Sequence, residues 1–194
     1  MKHTLLILLC TVFSFTLYSQ DSKPKVHTII SERVIKLNGG ARANLGGAFG
    51  ATSRTYLEIA LPPNTIEWHY SFSTCKDGAT VAKLNLGMQL GSLLLNFAPA
   101  GIIFSGLAKE AISHITVPQG AMPINSYIVD GDNLNKFINK KQFSYLDGTS
   151  MLNTMQGETQ IANPNSGTYY LALQNISSLS AVIVKVEVVA IVSE

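Results

Sequence analysis

Ile66-Glu67-Trp68-His69-Tyr70-Ser71-Phe72 is the stretch that decides the fold. Ile66, Trp68, Tyr70 and Phe72 alternate with Glu67, His69 and Ser71. The apolar side chains therefore share one face of an extended chain, and the polar ones share the other. Period two sustained over seven residues marks a strand with one face in a core. Ahead of it stands Leu61-Pro62-Pro63-Asn64, whose prolines cannot donate to a ladder and so set a turn.

The same extended character recurs on both sides. Val26 to Leu37 is rich in β-branched residues, and Arg54 to Ala60 is a second strand. Between them Asn38 to Gly50 carries five glycines without a G-x-G-x-x-G, so it reads as a loop and not as a dinucleotide site. Downstream, Ile124 to Val129 runs into the turn Asp130-Gly131-Asp132-Asn133. Leu134 to Lys141 follows as a short helix or loop, and Phe143 to Leu146 is expected to pair before Asp147-Gly148. Gly157 to Ile161 is a brief strand, and Asn163-Pro164-Asn165-Ser166-Gly167 is a strong turn signal. Thr168 to Gln174 and Ala181 to Val192 form a hairpin around Asn175-Ile176-Ser177-Ser178. In its second strand Val184, Val186, Val188, Ala190 and Val192 share one face. Ile183, Lys185, Glu187, Val189 and Ile191 share the other, so both faces are largely covered, as in a central strand of a sandwich.

The middle of the chain breaks this period. Leu84 to Ala108 runs twenty-five residues without a charge, between Lys83 and Lys109. Asn85, Gln89, Ser92 and Asn96 fall on one helical stripe, while Leu86, Leu90, Leu93, Leu94 and Phe97 fall opposite. Pro99 and Gly101 interrupt the pattern, and a second helical repeat runs through Ile103, Leu107, Ala111 and Ile115. Two short amphipathic helices joined at Ala98-Pro99-Ala100-Gly101 fit better than one membrane span. The apolar stripe is expected to lie on the sandwich. Left exposed, Leu90, Leu93, Leu94 and Phe97 would instead dock on a partner or a membrane surface.

Of the 194 residues 46% are hydrophobic and 13% charged, the latter about half the usual share, so disorder is excluded. Fourteen basic residues against twelve acidic ones give +2, which leaves no electrostatic footprint for nucleic acid. Met1-Lys2-His3, the apolar run Thr4 to Leu17 and the small Ser19 make the three parts of a secretory signal. Its fourteen apolar residues fall short of the roughly twenty that span a bilayer. Cleavage near Ser19 would leave residues 20–194 as a single domain, secreted or held in the periplasm or cell envelope. Leu9 stands where a lipobox around Cys10 needs a small residue. Beyond the leader only Cys75 remains, so the domain has no internal disulfide, and such a cysteine reads first as a small buried hydrophobe.

Chemistry is sparse in this sequence. It contains no G-x-S-x-G or H-E-x-x-H, and His27, His69 and His114 lie more than forty residues apart. Counting an EF-hand from Asp130 puts Asn135 and Lys141 where Gly and Glu belong, so neither metal nor cofactor is expected. Trp68, His69 and Tyr70 are the candidate ligand-binding residues, with the rings as a sugar-stacking platform. The competing reading puts the rings in the core. An enzyme would have to assemble a dispersed site from His69, His114, Asp130 and a Ser or Cys75.

Ser166-Gly167-Thr168-Tyr169-Tyr170-Leu171-Ala172-Leu173-Gln174-Asn175 and the Val-rich strand after it resemble the closing hairpin of secreted β-sandwich modules of the GOLD and bacterial pre-peptidase C-terminal type. Leu61-Pro62-Pro63-Asn64-Thr65 is similar to their mid-domain turn, and the Ser-Gln leader ending resembles signals of Gram-negative envelope proteins. The likeness covers some forty residues, and those modules lack a helical pair like Leu84–Ile115. It implies a binding or accessory role without catalysis. The expected architecture is one antiparallel, jelly-roll-like β-sandwich with a two-helix insertion around residues 80–115. The expected function is a non-enzymatic binding module at the bacterial cell envelope, its ligand a protein or glycan, with a second copy of the chain as a further partner. The alternatives are a secreted hydrolase or a protein that associates with membrane surfaces through the insertion.

Overall fold

A computed structural model of the chain describes residues 23–41, 52–76, 82–97, 107 and 112–193. The leader, most of the glycine-rich loop, the Ala98–Gly101 joint, and Ile103 and Ala111 of the second helical repeat lie outside them. Eight strands are formed: β1 (Pro24–Leu37), β2 (Arg54–Ala60), β3 (Thr65–Lys76), β4 (Ile124–Val129), β5 (Met151–Thr154), β6 (Gln156–Ile161), β7 (Thr168–Asn175) and β8 (Val182–Ser193). Among the described residues two α-helices accompany them, α1 (Leu86–Phe97) and α2 (Gly131–Ile138).

The strands pair antiparallel in two four-stranded sheets, ordered β1-β8-β3-β6 and β2-β7-β4-β5. Strands consecutive in sequence mostly alternate between sheets, and the first and last strands lie side by side. This is the eight-stranded, double Greek-key arrangement of a jelly roll. β8 lies between β1 and β3, the central position that its two covered faces imply. Trp68, Tyr70 and Phe72 of β3, the even-numbered valines of β8, and Leu171 and Leu173 of β7 fill the space between the sheets.

Each sheet also carries a helix on its outer face. On the first sheet, Leu86, Leu90 and Leu94 of α1 bury themselves against Val189 and Ile191, with Val26, Ile66, Leu107 and Ile115 around them. The helix α1 thus lies on the outer face of the first sheet. On the second sheet, α2 packs Leu134 and Phe137 on Tyr127, Val129 and Ala172. Its N-cap is Asp130, whose side chain accepts from the Asn133 amide. The carboxylate read above as a remote calcium candidate therefore caps a helix.

Two local expectations need amendment. Phe143 to Leu146 forms no strand, though the Leu146 amide donates to the Ile128 carbonyl. The strand beside β4 is β5, whose four residues include Asn153 at a φ of 51°. So short and irregular a strand shows no period-two pattern.

Candidate functional site

The polar face of β3 is not exposed. Glu67, His69 and Ser71 point to the outer side of the first sheet, yet all three are shut off from solvent. β6 brings Gln160 opposite His69 and Glu158 opposite Ser71, while β8 brings Glu187 to the other side of Ser71. The same alternation that sends Trp68 and Tyr70 inward therefore assembles a polar lattice on the outer face.

His69 sits at its centre. Its Nδ1 lies 2.7 Å from Glu158 Oε1 and its Nε2 lies 3.1 Å from Glu67 Oε1. Burial by itself pushes the His69 pKa down. The carboxylates of Glu158 and Glu67 outweigh it and hold the imidazole pKa above its ordinary value. Burial likewise pushes Glu67 up, and hydrogen bonds from His69, the Leu107 amide and Gln160 more than compensate, so its pKa ends below the usual carboxylate range. Gln160 Nε2 donates to Glu67 Oε2 at 2.7 Å and to the Leu107 carbonyl at 3.1 Å.

The lattice ends on the backbone of the insertion. Glu67 Oε1 accepts from the Leu107 amide at 3.0 Å. Glu187 accepts from the amides of Leu86 and Gly87, at 2.8 and 3.0 Å. Glu32 of β1 accepts from the Leu84 amide and from Lys185, whose Nζ is 3.3 Å away. These partners lower the Glu32 pKa against the opposing effect of burial. Three strands thus present carboxylates to both ends of the segment that covers them. Such charge-assisted bonds are roughly twice as strong as neutral ones.

Chemically this set is committed. Both ring nitrogens of His69 are taken up by carboxylates, which leaves neither for a further side-chain partner. Ser71 is the one buried side-chain oxygen without a hydrogen-bond partner among the described residues, and both nitrogens of its neighbour His69 are occupied by carboxylates. Cys75 is six residues further along β3, about 20 Å from His69 at strand rise. Asp130 caps α2 on the opposite sheet, and His114 is exposed near the end of the insertion. The dispersed hydrolase set is not brought together.

The ligand-binding candidates separate in the same way. Trp68 and Tyr70 are wholly buried between the sheets, so neither ring offers a face for a sugar to stack on, and the platform expectation is corrected. Trp68 stacks on Tyr169 and donates to the Pro164 carbonyl at 2.8 Å. Tyr70 donates to the Thr149 carbonyl at 2.6 Å. Burial drives its phenol pKa up to about 12. In the insertion, Leu90 and Leu94 are buried against the sheet and Leu93 is half-buried, which takes the first two out of any docking surface. The side chain of Phe97 lies outside the described residues. Met88 and Leu95 are instead the exposed apolar residues of α1.

Gln89 of the predicted polar stripe clamps the chain beyond the insertion, exchanging hydrogen bonds with the amide and carbonyl of Thr116. An open cleft of about 400 Å³ lies between these segments, lined by Lys83, Leu84, Met88, Gln89, Thr116 and Pro118. No described helix is long and apolar enough to cross a membrane.

Sequence reasoning missed Glu158, Gln160, Glu187 and Glu32 as members of one site. The legible signal was Lys185 and Glu187 inside a strand otherwise made of Val and Ile. Charges there imply a covering element that supplies partners. No protein-family model matches the chain, and no curated protein matches its sequence.

Proposed function

We infer that this protein is a secreted, non-enzymatic binding module of the bacterial cell envelope, with a protein or a glycan as its ligand. The observation that carries the reading is the use made of His69, Glu67 and Glu158. The residues best suited to acid–base work are spent on one another and on the Leu107 amide. A jelly roll of this kind works through its loops and outer faces, on which unrelated binding surfaces can be built. The leader directs such a module to the envelope.

The test is to present the labelled chain from Gln20 to Glu194, which contains every described residue, to an array of bacterial envelope glycans and to isolated envelopes. Saturable retention with the ligand recovered unchanged supports the reading. Turnover of an ester, peptide or glycoside that is lost in His69→Gln overturns it in favour of the hydrolase.

A further inference from the structure

One end of the sandwich concentrates positive charge around a braced apolar loop. The β7–β8 connection, residues 176–181, turns there, flanked by the ends of the neighbouring strands. Lys36 pairs in register with Ile183, Lys76 with Val182 and Arg54 with Gln174. α2 runs back toward the same end, where Arg54 donates to the Phe137 carbonyl, and so brings Lys136, Lys140 and Lys141 to its shoulder. Among the described residues, Glu32, Glu158 and Glu187 sit midway along the first sheet, Glu58, Glu67, Asp130 and Asp132 lie toward the opposite end, and Asp147 follows Leu146, whose amide meets the Ile128 carbonyl; Asp77 follows Lys76 in sequence. Net charge is nearly balanced over the chain, so this is segregation and not a basic protein.

The loop itself is built. The buried Asn175 side chain donates to the carbonyls of Leu37, Asn38 and Ser180 and accepts from the Ser177 amide. The amides of Gly40 and Ala41 donate to the Ser177 and Ser178 carbonyls. The backbones come so close that a Cβ on Gly39 would stand 2.7 Å from the Leu179 carbonyl carbon. This braced loop turns its apolar side chains outward: Leu179 is 71% exposed and Ile176 42%. Aliphatic tips held out among cations combine the two attractions of an interfacial protein, apolar insertion and pairing with anionic headgroups.

We propose that this end docks on the surface of an anionic lipid bilayer, with Leu179 and Ile176 entering the interface and Lys36, Lys76, Lys136, Lys140 and Lys141 facing its phosphates. The site is distinct from the insertion and leaves the outer face of the first sheet free. Each lysine near such a surface contributes roughly a fivefold gain in partitioning.

The experiment is co-sedimentation of the chain from Gln20 to Glu194 with vesicles of phosphatidylglycerol and phosphatidylcholine in equal parts, and with phosphatidylcholine alone. Binding is expected on the anionic vesicles only and should weaken at high salt, because exposed charges are screened. Lys136→Gln/Lys140→Gln/Lys141→Gln should lower it about a hundredfold. Leu179→Ser should weaken it with charge unchanged, while Lys23→Gln/Lys25→Gln, at the opposite end, should leave it intact. All these positions are exposed, so the melt should not move. The proposal is overturned by any of three results. One is failure of the chain to bind anionic vesicles, including the case where it binds soluble polyphosphate instead. Another is equal loss on removing Lys23 and Lys25. The third is loss on Leu95→Ser but not on Leu179→Ser, which would place the contact on α1.

Discussion

Replacing Glu187 should detach α1 from the jelly roll without unfolding the sheets. Leu86 opens the helix, and its first turn holds no acidic residue. Asn85 before it has a φ of 55°, away from the extended backbone of a normal N-cap. The cap comes from another strand. Both Glu187 oxygens accept helix amides, and the carboxylate meets the positive end of the helix dipole. Alanine at 187 leaves two screened amides unpaired, at about 1–3 kcal/mol each, so a loss of roughly 3–4 kcal/mol is expected. Glutamine keeps one acceptor and forfeits the charge, and should lose about half as much. In amide hydrogen exchange, 3 kcal/mol corresponds to opening of α1 increased roughly a hundredfold. The rise should be confined to Leu86 through Leu94, while amides of β3 and β8 keep the exchange of the parent chain. Unchanged protection of α1 in Glu187→Ala would refute the capping argument. Equal loss in helix and sheets would refute the claim that the insertion is a separate cooperative layer.

Further outcomes follow from the same lattice and core. With His69 raised above its ordinary 6.5, its stabilisation is complete below that value and is lost as pH rises through the folded pKa. Glu67, lowered from 4.5, contributes above that value and loses its contribution as pH falls through its folded pKa. The melting temperature should therefore plateau between about pH 4.5 and 6.5, and His69→Gln should flatten the alkaline flank and also shrink the acid flank, because His69 is the foremost partner that lowers the Glu67 pKa. Leu90→Ala should cost about 2–5 kcal/mol in urea unfolding and Leu95→Ser almost nothing, since one is buried and the other 79% exposed. Equal effects would mean that the buried face of α1 is misassigned. Tyr70→Phe strips the Thr149 carbonyl of its hydroxyl partner and should cost about 1–3 kcal/mol; an unchanged midpoint would show that bond to contribute nothing.

The sheets were legible because their inward faces are simple. Trp68-x-Tyr70-x-Phe72 and the alternating valines of β8 state their own period, and the prolines and Asn-Pro-Asn-Ser-Gly mark turns at both ends. The polar faces were harder to read. Glu67, His69 and Ser71 have the same spacing whether they meet water or a covering segment, and period two does not distinguish the two cases. What covers them is a stretch with a different period some forty residues away. Its polar contacts with the sheet run through the amides of Leu84, Leu86, Gly87 and Leu107, which sequence does not reveal. Trp68 and Tyr70 show the converse: alternation placed them on one face but could not tell a stacking platform from a core position. Lys36, Lys76, Arg54 and the α2 lysines are scattered in sequence, and only the strand register gathers them at one end.

The outer face of the first sheet explains why a buried histidine flanked by carboxylates is weak evidence for catalysis in this fold. A segment laid across a sheet brings unpaired backbone amides with it, and the strands beneath have already spent their own carbonyls on the ladder. Side chains must supply the acceptors, and a carboxylate does so most strongly. Glu32, Glu67 and Glu187 meet that need for the amides of Leu84, Leu107, and Leu86 with Gly87. Several buried anions on one face then require cations, and His69 and Lys185 stand among them. The histidine is a consequence of fastening the insertion with carboxylates. Both ring nitrogens of His69 end on glutamates, and Glu67 is itself tied to the Leu107 amide and to Gln160.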